Sequence, residues 1–130
     1  MNLERILIWS DDTEKTRKFY TRFFAGRAKR KATRQQGQSD SFAIAFGNGP
    51  ALDVNPKNRI ADLPQGTPIV HPTNNLSFRF ENRSQVDNLT QWIVDEGHRL
   101  EQPPYHLNNG CYKSVVRDPD HNKIEIFHQD

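Results

Sequence analysis

The sequence predicts an α+β fold made of two copies of one strand–helix–strand–strand–strand module, and three observations predict it. Alternating apolar and polar residues run through Leu3–Trp9 and return about seventy residues later in Leu76–Phe80. Each alternating run leads through a polar turn into a stretch with apolar residues at helical spacing, which stops at Gly26 or Gly97. Beyond each glycine stand three more strand-like segments. A supersecondary unit that recurs at a fixed offset marks a duplicated module.

In the first copy a helix is predicted from about Thr13 to Ala25. Asp11 is its expected N-cap, with Glu14 three residues on at capping-box spacing. Phe19, Phe23 and Phe24 form its apolar stripe. Strands follow at about Ala28–Gln35, Ser41–Phe46 and Ala51–Val54, separated by turns at Gly37 and Gly47–Gly49. In the second copy Ser84 is the expected cap, with Asp87 three residues later, and Val86, Leu89 and Ile93 make the buried stripe. Its later strands fall at about Arg99–Glu101, Tyr112–Arg117 and Lys123–Phe127, and the proline-containing segment around His106 reads as a loop. Pro56, Pro64, Pro68 and Pro72 mark 56–73 as a linker. One domain over 1–130 is therefore expected, with module 1 over about 1–55 and module 2 over about 74–130.

Composition narrows the function classes. With 130 residues, 26% charged and 10% aromatic, the chain suits one folded soluble domain with a real core. No apolar run is long enough to cross a bilayer, so no membrane partner is expected. The opening residues go straight into an alternating strand without a secretory n- and h-region, and a cytoplasmic location is the expectation. Cys111 is the only cysteine, which excludes an intrachain disulfide or a thiolate zinc cluster. The net charge is +2, although Arg22, Arg27, Lys29, Arg30, Lys31 and Arg34 cluster. A solvated helix end and edge strand explain that cluster better than a nucleic-acid footprint, since no aromatic platform accompanies it.

Two segments carry a specific resemblance: LERILIWSDDTEKTRKFYTRFF at the start and YKSVVRDPDHNKIEIF at the end. They resemble the vicinal oxygen chelate superfamily of glyoxalase I, bleomycin-resistance proteins and extradiol dioxygenases. The resemblance implies paired βαβββ modules whose mixed sheet curls around a concave cavity, with the helices outside. It also implies a small-molecule ligand and a homodimer.

Strand alternation sorts the faces. Ile6, Ile8, Leu52, Val54, Leu76, Phe78, Ile124 and Ile126 belong under the helices. Arg5, Leu7, Trp9, Asp53, Asn55, Asn75, Ser77, Arg79, Lys123, Glu125 and Phe127 take the other face, which the resemblance makes the cavity. In metal-dependent members the first and last strands of each module give one ligand each. The matching positions here hold Arg5, Asp53, Asn75 and Glu125. Glu125 fits that pattern, Asp53 is one methylene shorter, and Asn75 offers only a neutral amide oxygen. Arg5 cannot ligate, because a guanidinium offers only donors and a positive charge.

No cofactor is therefore expected. A divalent zinc, nickel, magnesium or iron ion, if bound, would sit on Asp53, Asn75 and Glu125. Glu125 would then be the catalytic base of a lyase or isomerase of the lactoylglutathione lyase type. The other reading is a small-molecule-binding protein in which Arg5 replaces a metal ligand. There Arg5 pairs with Glu125 or Asp53 in a desolvated site, either as a structural plug or as part of a pocket with Trp9, Arg79, Lys123 and Phe127.

Overall fold

A computed structural model describes residues 1–31, 40–57 and 74–130. The chain forms two compact units, Met1–Pro72 and Thr73–Asp130. In the first, β1 (Arg5–Ser10), α1 (Thr13–Phe23), β2 (Arg27–Arg30), β3 (Phe42–Ala45) and β4 (Ala51–Pro56) follow one another. In the second, β5 (Asn75–Arg79), α2 (Arg83–Asp95), β6 (Leu100–His106), β7 (Cys111–Arg117) and β8 (Lys123–Gln129) repeat that order. The sheets share one topology, β1-β4-β3-β2 and β5-β8-β7-β6, with the first strand parallel to the last and the other neighbours antiparallel. The predicted α+β class with two βαβββ modules is what the chain forms. No helix among the described residues is long and apolar enough to cross a membrane.

Each helix covers one face of its own sheet. In the first unit Ile8, Ile44, Leu52 and Val54 pack beneath Phe19, Tyr20 and Phe23. Phe19 meets both Tyr20 and Phe23 edge-on, a geometry aromatic rings favour. In the second unit Leu76, Val116, Ile124 and Ile126 lie beneath Val86, Leu89 and Ile93. Ile6 and Phe78 are half-buried rather than fully buried. Each module also joins its helix to its sheet by a buried hydroxyl pair, Ser10 with Thr16 at 3.1 Å and Ser114 with Thr90 at 2.6 Å.

Several local details differ from expectation. The N-cap of α1 is Asp12, not Asp11, and its carboxylate accepts from the Lys15 N–H. The N-cap of α2 is Asn82, not Ser84, and it accepts from the Gln85 N–H. In both turns several polar residues compete for the cap, and the one in extended backbone takes it. Asp87 accepts a hydrogen bond from the Tyr112 hydroxyl instead of closing a capping box. α1 ends with Ala25 at φ +52, so Gly26 is not the left-handed residue. A Cβ on Gly26 would lie 2.5 Å from Ile44 Cγ2 and 2.9 Å from Phe46 Cε1, so close approach is what requires a glycine there. Gly97, at φ +92, does end α2 as expected.

Of the segment expected as a loop around His106, only 107–110 forms a turn. β6 continues through Pro103 and Pro104 to His106, with register shifts against β7 on either side of Gln102. Proline is accepted here because β6 is an edge strand, where a missing N–H breaks no second ladder. β4 includes Pro56, also beyond its predicted end. The rest of the expected linker, 58–73, and the expected turn at Gly37 lie outside the described residues.

Candidate functional site

The face of each sheet opposite its helix carries the polar residues. In the first unit Leu7 lies opposite Asp53, and Asp53 opposite Ala43. In the second Ser77 lies opposite Glu125, and Glu125 opposite Val115. Asp53 and Glu125 thus hold equivalent places on the last strand of their modules.

Each carboxylate has a lysine of its own unit. Lys31 Nζ donates to Asp53 Oδ2 at 2.6 Å. Lys113 Nζ donates to Glu125 Oε1 at 3.1 Å, and the Ser77 hydroxyl donates to Glu125 Oε2 at 3.0 Å. Burial alone would raise the Glu125 pKa, but the bonds from Lys113 and Ser77 outweigh it and hold the carboxyl below its ordinary range. Lys113 is raised in turn, chiefly by its hydrogen bond to Glu125. The two partners shift in the directions that favour a charged pair.

Arg5 departs from expectation. Its guanidinium stands 3.8 Å from Asp53 Oδ2, but the side chain is 63% exposed while that of Asp53 is only 8% exposed. It is a peripheral charge, and Lys31 is the close partner of Asp53. The reason lies in the strand order: β1 is an edge strand, whereas Asp53 sits on a central strand between β1 and β3. Asp53 Oδ1 is buried without a hydrogen-bond partner among the described residues. Asn55 is also buried and accepts from the Ser41 hydroxyl at 3.3 Å. Trp9 is half-buried opposite Asn55.

In the second unit Asn75 is exposed opposite Lys123. Arg79 donates to the Gln129 carbonyl at 3.3 Å and lies opposite Phe127. Lys123, Glu125 and Phe127 follow one another along the same face of β8, all half-buried. Among the described residues no three histidine, cysteine or acidic side chains gather closely enough to hold a metal ion. His128 sets Nδ1 against the Phe80 carbonyl and Nε2 against Asp130, both at 3.0 Å.

The donor chemistry does not fit a divalent metal at the four matching positions. One position is a guanidinium, and both carboxylates already bear an ammonium group within hydrogen-bonding distance. A cation entering either site would face that ammonium's repulsion.

The two lysines are what the sequence reading missed, and Ser77, placed on the right face, was given no bond to Glu125. Lys31 belongs to a basic run that looked like a solvated edge, and only the pairing of Lys31 with Ser41 turns it over Asp53. Lys113 is a charge in the interior of a strand, a signal that was present. Matching it to Glu125 needs the β7–β8 register.

Relatives share this architecture. An enzyme of the glyoxalase/bleomycin resistance protein/dioxygenase family from Burkholderia phytofirmans PsJN superposes with a TM-score of 0.80 at 20% identity, covering 98% of each chain. A glyoxalase-related enzyme from Fulvimarina pelagi gives 0.78 at 18% identity over 99% of this chain and 88% of that one. Lactoylglutathione lyase from Agrobacterium tumefaciens gives 0.72 at 18% identity over 96% and 91%. At such identities the likeness establishes the fold alone. The uncharacterized protein YqjT of Bacillus subtilis (strain 168) is 32% identical over 56 residues, a match spanning 41% of this chain and 44% of that protein. The sequence pattern of the Glyoxalase/Bleomycin resistance protein/Dioxygenase superfamily matches residues 2–126, and the chain belongs to that superfamily.

Proposed function

We propose that this chain is a small-molecule-binding member of its superfamily that works without a metal, each metal-position carboxylate being neutralised by a lysine of its own module. The observation that carries this reading is the pair of contacts from Lys31 to Asp53 and from Lys113 to Glu125. A carboxylate that would repel anions in an empty cavity becomes part of a neutral pair, and the cations around it remain to attract a ligand. The bonds from Lys113 and Ser77 occupy both oxygens of Glu125, which supports binding over lyase chemistry with Glu125 as the base. The homodimer common in this superfamily forms part of the proposal.

The test uses tag-free protein, with metal content measured by mass spectrometry and melting followed with added zinc, nickel, magnesium or iron(II). A metal at one hundred times its Kd would stabilise the native state by about 2.7 kcal/mol. Substoichiometric metal and no upward shift are expected. One-to-one binding that Glu125→Gln abolishes would overturn the reading.

A further inference from the structure

In the first unit the strand register sets small residues between long basic ones on the face opposite α1, an arrangement that makes a shallow trough. Its floor is made of small residues on the two central strands, Ala43 and Ala45 on β3 and Ala51 on β4. Its walls stand on the two edge strands. One complete row runs Leu7, Asp53, Ala43, Lys29 across all four strands. In the neighbouring row Arg5 faces Ala51 on one side and Arg27 faces Ala45 on the other. The walls are three strand spacings apart, about 14 Å. Arginine side chains rising from both can converge above the alanines.

Charge on this face is lopsided. Among the described residues Arg5, Arg27, Lys29 and Lys31 share it with Asp53 as the acid. Lys31 is committed to Asp53, whereas Arg27 and Lys29 form no ion pair among the described residues. An independent observation lies in the floor itself. Asp53 Oδ1 is buried yet accepts no hydrogen bond among the described residues, which is costly for a carboxylate oxygen. Reaching it requires a neighbouring side chain to move. Arg5, exposed and 3.8 Å from the other oxygen, is held there by no hydrogen bond.

We propose that this trough binds a small hydroxylated organic anion, either a carboxylate or a phosphate ester. Arg5 and Arg27 take its anionic group from opposite walls, and Asp53 Oδ1 accepts its hydroxyl as Arg5 swings towards the anion. Guanidinium forks match both carboxylate and phosphate oxygens. The floor of methyl groups leaves room above the sheet that larger side chains would fill. The inference deepens the metal-free binding reading and rests on it.

Calorimetric titration in EDTA with propionate, lactate, inorganic phosphate and glycerol 3-phosphate separates head group from hydroxyl. Lactate should bind at least tenfold tighter than propionate, or glycerol 3-phosphate than phosphate, and whichever pair responds identifies the head group. Arg5→Gln and Arg27→Gln should each weaken binding at least tenfold, the loss expected for one charge-assisted contact. Asp53→Asn should remove the preference for the hydroxyl. Should that variant fail to fold, Ala45→Leu, which fills the floor at a half-exposed position, should abolish binding with the melting temperature retained. Equal affinity within both pairs, no binding of any of the four, or binding that Arg27→Gln leaves unchanged overturns the trough and leaves the metal-free reading standing. Binding that requires added zinc overturns the metal-free reading instead.

Discussion

At the residue scale the lysine–carboxylate pairs dictate the response to pH and to mutation. The folded-state pKa of Glu125 lies below its ordinary 4.5, so its contribution to stability is present above that value and lost as pH falls through the folded pKa. Lys113 lies above its ordinary 10.5, so its contribution is present below that value and lost as pH rises through the folded one. Denaturant melts across pH should therefore show Lys113→Met losing stability most between about 4.5 and 10.5, with the difference from wild type narrowing at both ends. The loss in that window should be about 1–3 kcal/mol, the cost of leaving a half-buried charged acceptor without its partner. Lys31→Met should cost a similar amount. Arg5→Ala should cost less than about 1 kcal/mol, as exposed ion pairs do. If Arg5→Ala proves the more damaging of the two, Lys31 is not the principal partner of Asp53. The faces of this candidate site were legible in the sequence. Alternation placed Arg5, Asp53, Ser77 and Glu125 on one kind of face, and they are there. The partners were not legible, because Lys31 and Lys113 reach their carboxylates across strand pairs whose register depends on turns and not on local pattern.

At the element scale the helices were read from their apolar stripes, and their ends were less legible. Asp11 and Asp12 are chemically alike, and only backbone conformation selects Asp12 as the cap. Circular dichroism melts of Asp12→Ala and Asn82→Ala should each show a loss of about 1 kcal/mol, while Ser84→Ala should be near neutral. Gly26 is a sharper case. Sequence reading gave it a helix-stopping role, whereas the structure gives it a packing role against Ile44 and Phe46. Gly26→Ala should therefore destabilise by about 1–3 kcal/mol, the usual cost of forcing an extra methyl group into a filled space. A neutral Gly26→Ala would show that β3 can move aside. The strand through Pro103 and Pro104 was missed for a related reason: proline is a breaker on average, and its tolerance at an edge shows only once the strand order is known.

At the scale of the whole molecule, duplication was the most legible property. It survives in detail, with N-caps Asp12 and Asn82, edge residues Arg5 and Asn75, and neutralised carboxylates Asp53 and Glu125 at matching places in the two modules. The modules also differ in how they finish their outer edges. β6 is interrupted by two prolines and by register shifts, and β2 is a short, wholly exposed strand of sequence RAKR. Replacing Pro103 and Pro104 with threonine should make the protein scatter more light during incubation near its melting temperature, and an unchanged rate would show that the prolines protect nothing. The consequence concerns growth. A ribbon that lengthens strand by strand needs two acceptor edges on every sheet. In the second unit Pro103 and Pro104 break the row of N–H groups on one of them, and in the first the row of cations would meet its own copy. Among the described strands each sheet is left with a single unguarded edge, β1 or β5, to offer. Joining two such sheets consumes both offers, and the ribbon ends there.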